Sequence, residues 1–452
     1  MYTQPESNDY YQLNGKYRLN KISGKNCSVM LRNSEDEIQA VIDVCNDKIS
    51  RIGGFSGGKI NREGRSELVS FIKDNKLSVT SSGARDLGVS VYRPEKGDEE
   101  YLTAAELSQK LKGDISNAHI TVYNYKKRRM DVKASTKGAV LNLSKAAIKK
   151  LVIEENCNLV IDLRDNPYIE TLVVKSGFTG NINLSRNSVK KIEIMDNCRC
   201  ELSINDSLKC FSLNVGDVFS GVLTIKNSCF HKLDIGYYSY AEINLSSNWG
   251  RRNVNIGSSF RGKLNIDSVH VPSVRIGNDC KGRITVSSKD DSKNLPKIEI
   301  ADEFGGKIDL SNSKNVMRLE CGKNAGGKIN LLGCPSLKVV RLGEHFHGKA
   351  DFSESGIEYL RAGKDCQGEL ILLGCENLAL IKMPNERQKS VTIDRSPIKV
   401  KNDGKEVYYS FYERKLPKEY FTPFYQDWYN SAKRFFKEKN NGLAKRLKNN
   451  SP

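Results

Sequence analysis

The chain has 452 residues, 38% of them hydrophobic, and a formal net charge of +18. It contains no run of 18 apolar residues, which excludes a transmembrane helix, and its eleven prolines are too few for a Pro-rich linker protein. The opening nine residues have neither a basic n-region nor an apolar h-region, so no Sec-type signal peptide is expected. Residues 1–30 are polar, with Tyr10, Tyr11 and Tyr17 interspersed. Ser34 with Glu37 three residues on forms a capping-box pattern, and Ile38, Val41, Ile42 and Cys45 follow at helical spacing, which predicts a first helix. Leu68, Val69, Phe71 and Ile72 predict a second helix over 64–75. Val89 to Tyr92 alternates like a strand, and residues 93–97 form a turn. Thr103 with Glu106 caps a third helix through Leu107 and Leu111, which Gly113 ends. Residues 1–118 hold 17 Lys+Arg and 17 Asp+Glu. They read as a small, neutral α/β region that caps the rest of the chain.

From Ile120 the chain becomes repetitive. Short apolar-polar-apolar strands begin at Ile120, Leu141, Ile161, Ile182, Leu202, Leu223, Ile243, Leu264, Ile284, Ile308, Ile329, Ala350 and Leu370, at intervals of 20 or 21 residues with one of 24. A second strand starts ten or eleven residues later, as at Leu151/Ile153, Leu233/Ile235 and Val340/Leu342. Two strands of period 2 per turn predict a mainly β fold, a solenoid of about thirteen 20–21-residue coils over residues 119–400. Val391-Thr-Ile393 reads as one more half-coil.

The first Gly of each turn (216, 236, 257, 277, 322, 343, 363) suits a corner of positive φ. A bulky slot three residues on holds Phe219, Phe260, Phe304 and Phe346, or Cys280 and Cys366. The twelve cysteines are therefore expected to be reduced core thiols, fitting a chain that folds in a reducing cytosol.

The first half of the consensus, as in Ile148-x-x-Leu151-x-Ile153-x-x-Asn156 and Val189-x-x-Ile192-x-Ile194-x-x-Asn197, resembles a bacterial leucine-rich repeat over roughly residues 140–385. Two features depart from that family. The bulky residue directly follows the Asn slot, which elsewhere is Gly177, Val218 or His345, and a second strand is expected where leucine-rich repeats have a helix or extended segment. A plain two-strand β-solenoid stands as the alternative. The resemblance implies a protein-binding effector or adhesin; joined to the polar N-terminus, the expected lack of a Sec signal peptide and the reduced cysteines, it suggests a bacterial effector exported into a host cell by a route other than Sec.

Residues 401–452 hold 12 Lys+Arg against 6 Asp+Glu. Within them, 424–447 read as a basic amphipathic helix with Trp428, Phe435 and Phe436, suited to cover the open solenoid end or to touch a membrane surface.

No catalytic motif stands out, and no cofactor or metal site is expected. Gly53-Gly-Phe-Ser-Gly-Gly-Lys59 has the frame of a phosphate loop, but Ile60 replaces the Mg²⁺-binding hydroxyl. The stretch fits the repeat consensus better, and Gly57–Asn61 is identical to Gly326–Asn330, so an early degenerate coil is conceivable there. His345-x-His347 sits on a corner with both rings outward and no ligand pair beside it. Glu299 and Glu320 stack on neighbouring coils at about 4.8 Å, roughly the carboxylate separation of retaining glycosidases. No aromatic sugar platform flanks them, so neutralising Arg275 and Arg341 on the same ladder is the better reading.

The sharper signal is cationic. Lys263, Arg283, Lys307, Lys328 and Lys349 occupy one slot of five successive coils, a stripe about 20 Å long. Such a stripe points to an acidic protein partner, with a polyanionic glycan, nucleic acid or an anionic membrane as alternatives. Asp309 and Asp351 lie close by.

Overall fold

The computed structural model describes residues 10–410, except 14–16, 21–25, 47, 55–59, 61, 124–128, 133–137, 210, 251–252, 268–272, 288–296, 315, 385–389, 395–398 and 403–405. The helix expected at 424–447 lies outside the described residues.

The body is a parallel β-solenoid of about 11 turns of about 21 residues, against about thirteen expected. Every predicted strand start lies in one sheet. Leu141 pairs with Ile120 and Ile161, and the register runs unbroken through Ile308, Ile329 and Ala350 to Leu370 and Val391. We call this sheet 1. Sheet 2 stacks the second strands, from Arg129–Val132 through Lys150–Ile153 and onward to Leu380–Pro384. Alternation drives the build. Alternate residues of both sheets, such as Leu141, Leu143, Leu151 and Ile153, are fully buried between the sheets, and the intervening ones face out.

Two corners join the sheets. After sheet 2 the bulky slot is buried, whether filled by Phe178, Phe219, Phe260, Phe304 and Phe346 or by Cys157, Cys198, Cys280 and Cys366. The residue just before that slot has positive φ, as at Asn197 (58°), Val218 (57°), Tyr238 (54°), His345 (56°) and Asp365 (52°). This corrects the glycine expectation. Among the described residues the first Gly of the corner is not in the left-handed region. It is needed because the coils touch there: a Cβ on Gly343 would lie 2.2 Å from the Gly322 carbonyl oxygen, and one on Gly322 2.2 Å from Asp302 Oδ1.

The corner after sheet 1 buries small polar groups instead: Asn166, Asn187, Ser228, Asn248, Ser313 and Ser355. Such side chains can donate to carbonyls that the rungs leave over. Asn166 Nδ2 donates to the Leu143 and Ala146 carbonyls at 2.6 and 2.9 Å. Cys334 and Cys375 take the same slot, and their thiols donate to Leu310 and Phe352 at 2.9 and 3.0 Å. These two cysteines replace Ser or Asn, not Phe.

Ten cysteines are free thiols, but Cys229 is disulfide-bonded, contrary to the reading of all twelve as reduced. It is buried but occupies neither of the two corner slots. Burial pushes the Cys200 and Cys321 thiols up to about 12 and those of Cys280 and Cys334 up to about 11.

The N-terminal region differs from expectation at 38–45. Asn26–Asn33 and Ile38–Cys45 are neighbouring strands of a five-stranded antiparallel sheet, with Ala40, Ile42 and Val44 buried in strict alternation. The residues read as a capping box form the hairpin turn: Asn33 Oδ1 accepts the Glu35 and Glu37 amides at 3.1 and 2.8 Å, and Asp36 takes φ 67°.

Lys48–Gly54 is the last strand of that sheet, paired antiparallel with Ile38–Cys45, and residues 55–59 and 61 of the stretch read as a phosphate-loop frame or early coil lie outside the described residues. Helix α1 (Arg62–Asp74) is where the spacing places it. A further helix, α2 (Ser81–Leu87), is capped by Thr80 and by Gly88 at φ 69°. Helix α3 (Ala104–Lys110) has the expected capping box and ends before Gly113.

At each end of the parallel stack one of the two sheets is closed by an antiparallel strand. Ser90–Arg93 pairs with the first rung of sheet 1, and Leu107 and Leu111 of the α3 region join the solenoid core. Glu406–Ser410 pairs with Leu380–Pro384 at the other end, where the direction of sheet 2 reverses. Each closure covers one sheet: Ser390–Ile393 of sheet 1 and Arg129–Val132 of sheet 2 stay as parallel edge strands.

Candidate functional site

The stripe residues are brought together as the spacing requires. Glu242, Lys263, Arg283, Lys307, Lys328, Lys349 and Glu369 are consecutive register partners on the outer face of sheet 1. Glutamates bound the cationic run at both ends: Lys263 lies 3.7 Å from Glu242, and Lys349 is 2.7 Å from Glu369. Lys307 lies 3.7 Å from Asp309. The side chains of Arg283 and Lys328 have no hydrogen-bond or ion-pair partner among the described residues.

The adjacent outward ladder is polar: Asn265, Thr285, Asp309, Asn330 and Asp351. Burial of Asp309 works to raise its pKa, but hydrogen bonds from Ser311 and the charge of Lys307 outweigh it, so the carboxyl stays below its usual range. Asp309 is thus anionic at neutral pH and softens the stripe at one rung only.

The corner preceding sheet 1 extends this basic surface with Arg261 and Lys281, which share Asp279 at 3.5 and 3.4 Å. Sequence reasoning missed both, although they recur in the consensus slot between the bulky residue and the second Gly. In the next two coils that slot is Gly305 and Gly326. The Lys281 side chain reaches over Gly305, and the His347 ring lies over Gly326. Both His345 and His347 are exposed, with His347 Nδ1 3.0 Å from the His345 carbonyl oxygen.

Glu299 and Glu320 are rung partners on the outer face of sheet 2. Arg275 donates to Glu299 at 2.5 Å, and Lys297 bonds both carboxylates, reaching Glu320 at 2.8 Å. Arg341 donates to Glu320 at 3.0 Å, and Arg318 bonds it as well. Burial favours raised pKa values for both carboxyls. The hydrogen bonds of Glu299 to Lys297 and Arg275, and of Glu320 to Lys297 and Arg318, outweigh it and hold both below the usual range. Two carboxylates charged at neutral pH and enclosed by cations neutralise charge; neither keeps a proton to donate.

A second basic surface, which the spacing did not reveal, lies where sheet 2 meets the glycine corner in the last coils. It is a groove of about 820 Å³ whose lining includes Lys323, Arg341, Arg361 and Lys364. No family model, curated protein or solved structure matches the chain. No helix among the described residues is long and apolar enough to cross a membrane. No group of three or more His, Cys, Asp or Glu among them is placed to hold a metal ion.

Proposed function

We propose that the chain is a non-enzymatic interaction scaffold that binds an acidic protein partner along the sheet 1 stripe. The observation that carries this reading is the register ladder Lys263–Arg283–Lys307–Lys328–Lys349, with Arg283 and Lys328 lacking any carboxylate among the described residues. Like charges stacked on adjacent rungs cost stability, and Glu242, Asp309 and Glu369 offset only Lys263, Lys307 and Lys349, so the charge left at Arg283 and Lys328 is best accounted for by an anion that arrives from outside. The hydrogen-bonded sheet fixes the backbone positions of those charges before binding, so only their side chains have to be ordered. The leucine-rich-repeat resemblance, the ten free thiols and the basic character together favour a bacterial effector-type protein, folded in one cytosol and exported to another.

The test compares wild type with the Lys307→Glu/Lys328→Glu/Lys349→Glu variant for binding to an acidic Asp/Glu-rich peptide, heparin and duplex DNA across a salt series. Tight peptide binding that the variant loses supports the reading. Unchanged binding in the variant sinks it. Preference for DNA with a steep salt slope transfers the stripe to nucleic acid. A carbohydrate-binding reading has one observation in its favour: Tyr237, Tyr238 and Tyr240 are all more than half exposed on one corner, and stacked rings suit sugar faces. Glycan-array binding abolished by Tyr238→Ala would support that reading.

A further inference from the structure

The outer face of sheet 2 changes character along its length. In three of its earlier strands a cation and the carboxylate two residues on pair within the strand: Arg129 with Asp131 at 2.7 Å, Lys191 with Glu193 at 2.6 Å, and Lys232 with Asp234. Lys297–Glu299 and Arg318–Glu320 repeat the arrangement. The next three coils break it. The first slot becomes apolar, with Val339, Tyr359 and Leu380 in register, and the second becomes cationic, with Arg341, Arg361 and Lys382. Arg341 still reaches Glu320, but the Arg361 side chain has no hydrogen-bond or ion-pair partner among the described residues.

The 820 Å³ groove opens beside this change. Its floor includes the stacked corner glycines Gly322, Gly343 and Gly363, where a Cβ on Gly363 would lie 2.5 Å from the Glu344 amide nitrogen. The three glycines pack coil against coil and contribute only main chain to the lining. The walls hold four cations (Lys323, Arg341, Arg361, Lys364) and two carboxylates (Asp302, Glu344). Lys323 is taken up by Glu344 at 2.7 Å, and Asp302 accepts the Lys323 amide at 2.7 Å. Two cations stay available: Arg361, and Lys364, whose carboxylate neighbour Asp365 is 4.0 Å away and also faces His345 at 3.5 Å.

We propose that this groove is an oxyanion site for a phosphate monoester, held by the Arg361 fork and the Lys364 ammonium over the glycine floor. The charge excess of the walls matches the phosphate monoester, whose charge is about −1.5 to −2 at neutral pH; a carboxylate would leave one cation unmatched. A planar guanidinium also offers two parallel donors to adjacent phosphate oxygens. The phosphate belongs either to a small phosphorylated metabolite or to a phosphorylated side chain.

Calorimetric titration of the full chain with inorganic phosphate, phosphoserine, a phosphoserine peptide and its unphosphorylated counterpart, at matched ionic strength, tests this. Saturable binding of the monoesters is expected, weakened about tenfold or more in Arg361→Gln and unchanged in Lys307→Glu/Lys328→Glu/Lys349→Glu, because the stripe is on the other sheet. A phosphopeptide that binds more tightly than phosphoserine assigns the phosphate to a protein; equal affinity assigns it to a small molecule. Equal responses in wild type, Arg361→Gln and Lys364→Gln would overturn the proposal, as would loss in the stripe variant alone or no saturation at all. Circular dichroism of each variant separates lost binding from lost folding.

Discussion

Lys328 offers the most direct test of whether the stripe is held at a cost. It is paired in register with Lys307 on one rung and Lys349 on the next. The rung spacing and the splay of outward side chains put neighbouring ammonium groups roughly 7 Å apart. Two like charges at that separation repel by about 0.6 kcal/mol in water. Replacing Lys328 by Glu turns two repulsions into attractions, worth about 2 kcal/mol without screening and about 1 kcal/mol at physiological salt, where the Debye length is about 8 Å. Lys307 and Lys349 each have a carboxylate of their own, Asp309 and Glu369, so these figures are upper values. Urea denaturation at low salt and at about 1 M salt measures the difference. Lys328→Glu should be the more stable protein at low salt, with the gain shrinking towards zero at high salt, while its binding to the acidic peptide falls. A variant equal to or less stable than wild type at low salt would show that the column does not repel itself, and the argument for an external anion would fail.

Gly343→Ala should destabilise by about 2–4 kcal/mol in the same assay, since its Cβ would meet the Gly322 carbonyl oxygen at 2.2 Å and force adjacent coils apart. Val218→Gly should do the opposite. Val218 is a β-branched residue at φ 57° and partly exposed, so relief of about 1–2 kcal/mol of backbone strain exceeds the about 0.5–1 kcal/mol of extra chain entropy that glycine loses. The Glu299–Glu320 network sets an acid limb to stability. Folded pKa values lowered from 4.5 mean a contribution fully present above that pH and lost progressively as pH falls through the folded values. Denaturation curves of Glu299→Gln/Glu320→Gln should therefore be flatter than wild type in this acid range. Alkylation of the native protein near pH 8 should modify the exposed Cys45 and spare Cys200 and Cys321, whose thiols titrate at about 12; labelling of the latter two without denaturant would contradict their burial.

What was legible in the sequence was whatever period 2 and a fixed coil length determine. Once Ile308, Ile329 and Ala350 occupy the same inward slot, the partners of Lys307, Lys328 and Lys349 are set without further information, because a one-residue slip would turn every core side chain outward. The same logic placed Glu299 beside Glu320. It did not reveal which cation each carboxylate takes. Lys297 and Arg318, two residues away on their own strands, bond those glutamates as directly as the rung neighbours Arg275 and Arg341 do. That choice depends on side-chain direction, which spacing does not encode.

The two misread local signals have the same origin. Ser34 and Glu37 have the residue types of a capping box, yet Asn33 one position earlier accepts two backbone amides and turns the chain into a hairpin. The corner glycines have the residue type of a positive-φ turn, yet positive φ falls two residues later on Val218, His345 or Asp365. In each case the residue type named a permitted conformation, and neighbours from another strand or coil decided which conformation was used. The Arg361 groove is the functional counterpart of this limit. Arg341, Arg361 and Lys382 look in the sequence like any continuation of an outward ladder. Only the neighbouring coils show that these cations stand where Glu299 and Glu320 stood, and that Val339, Tyr359 and Leu380 fill the slot that had held the opposite charge. A site defined by a missing partner leaves no motif behind, and it becomes visible only when the ladder is read rung by rung.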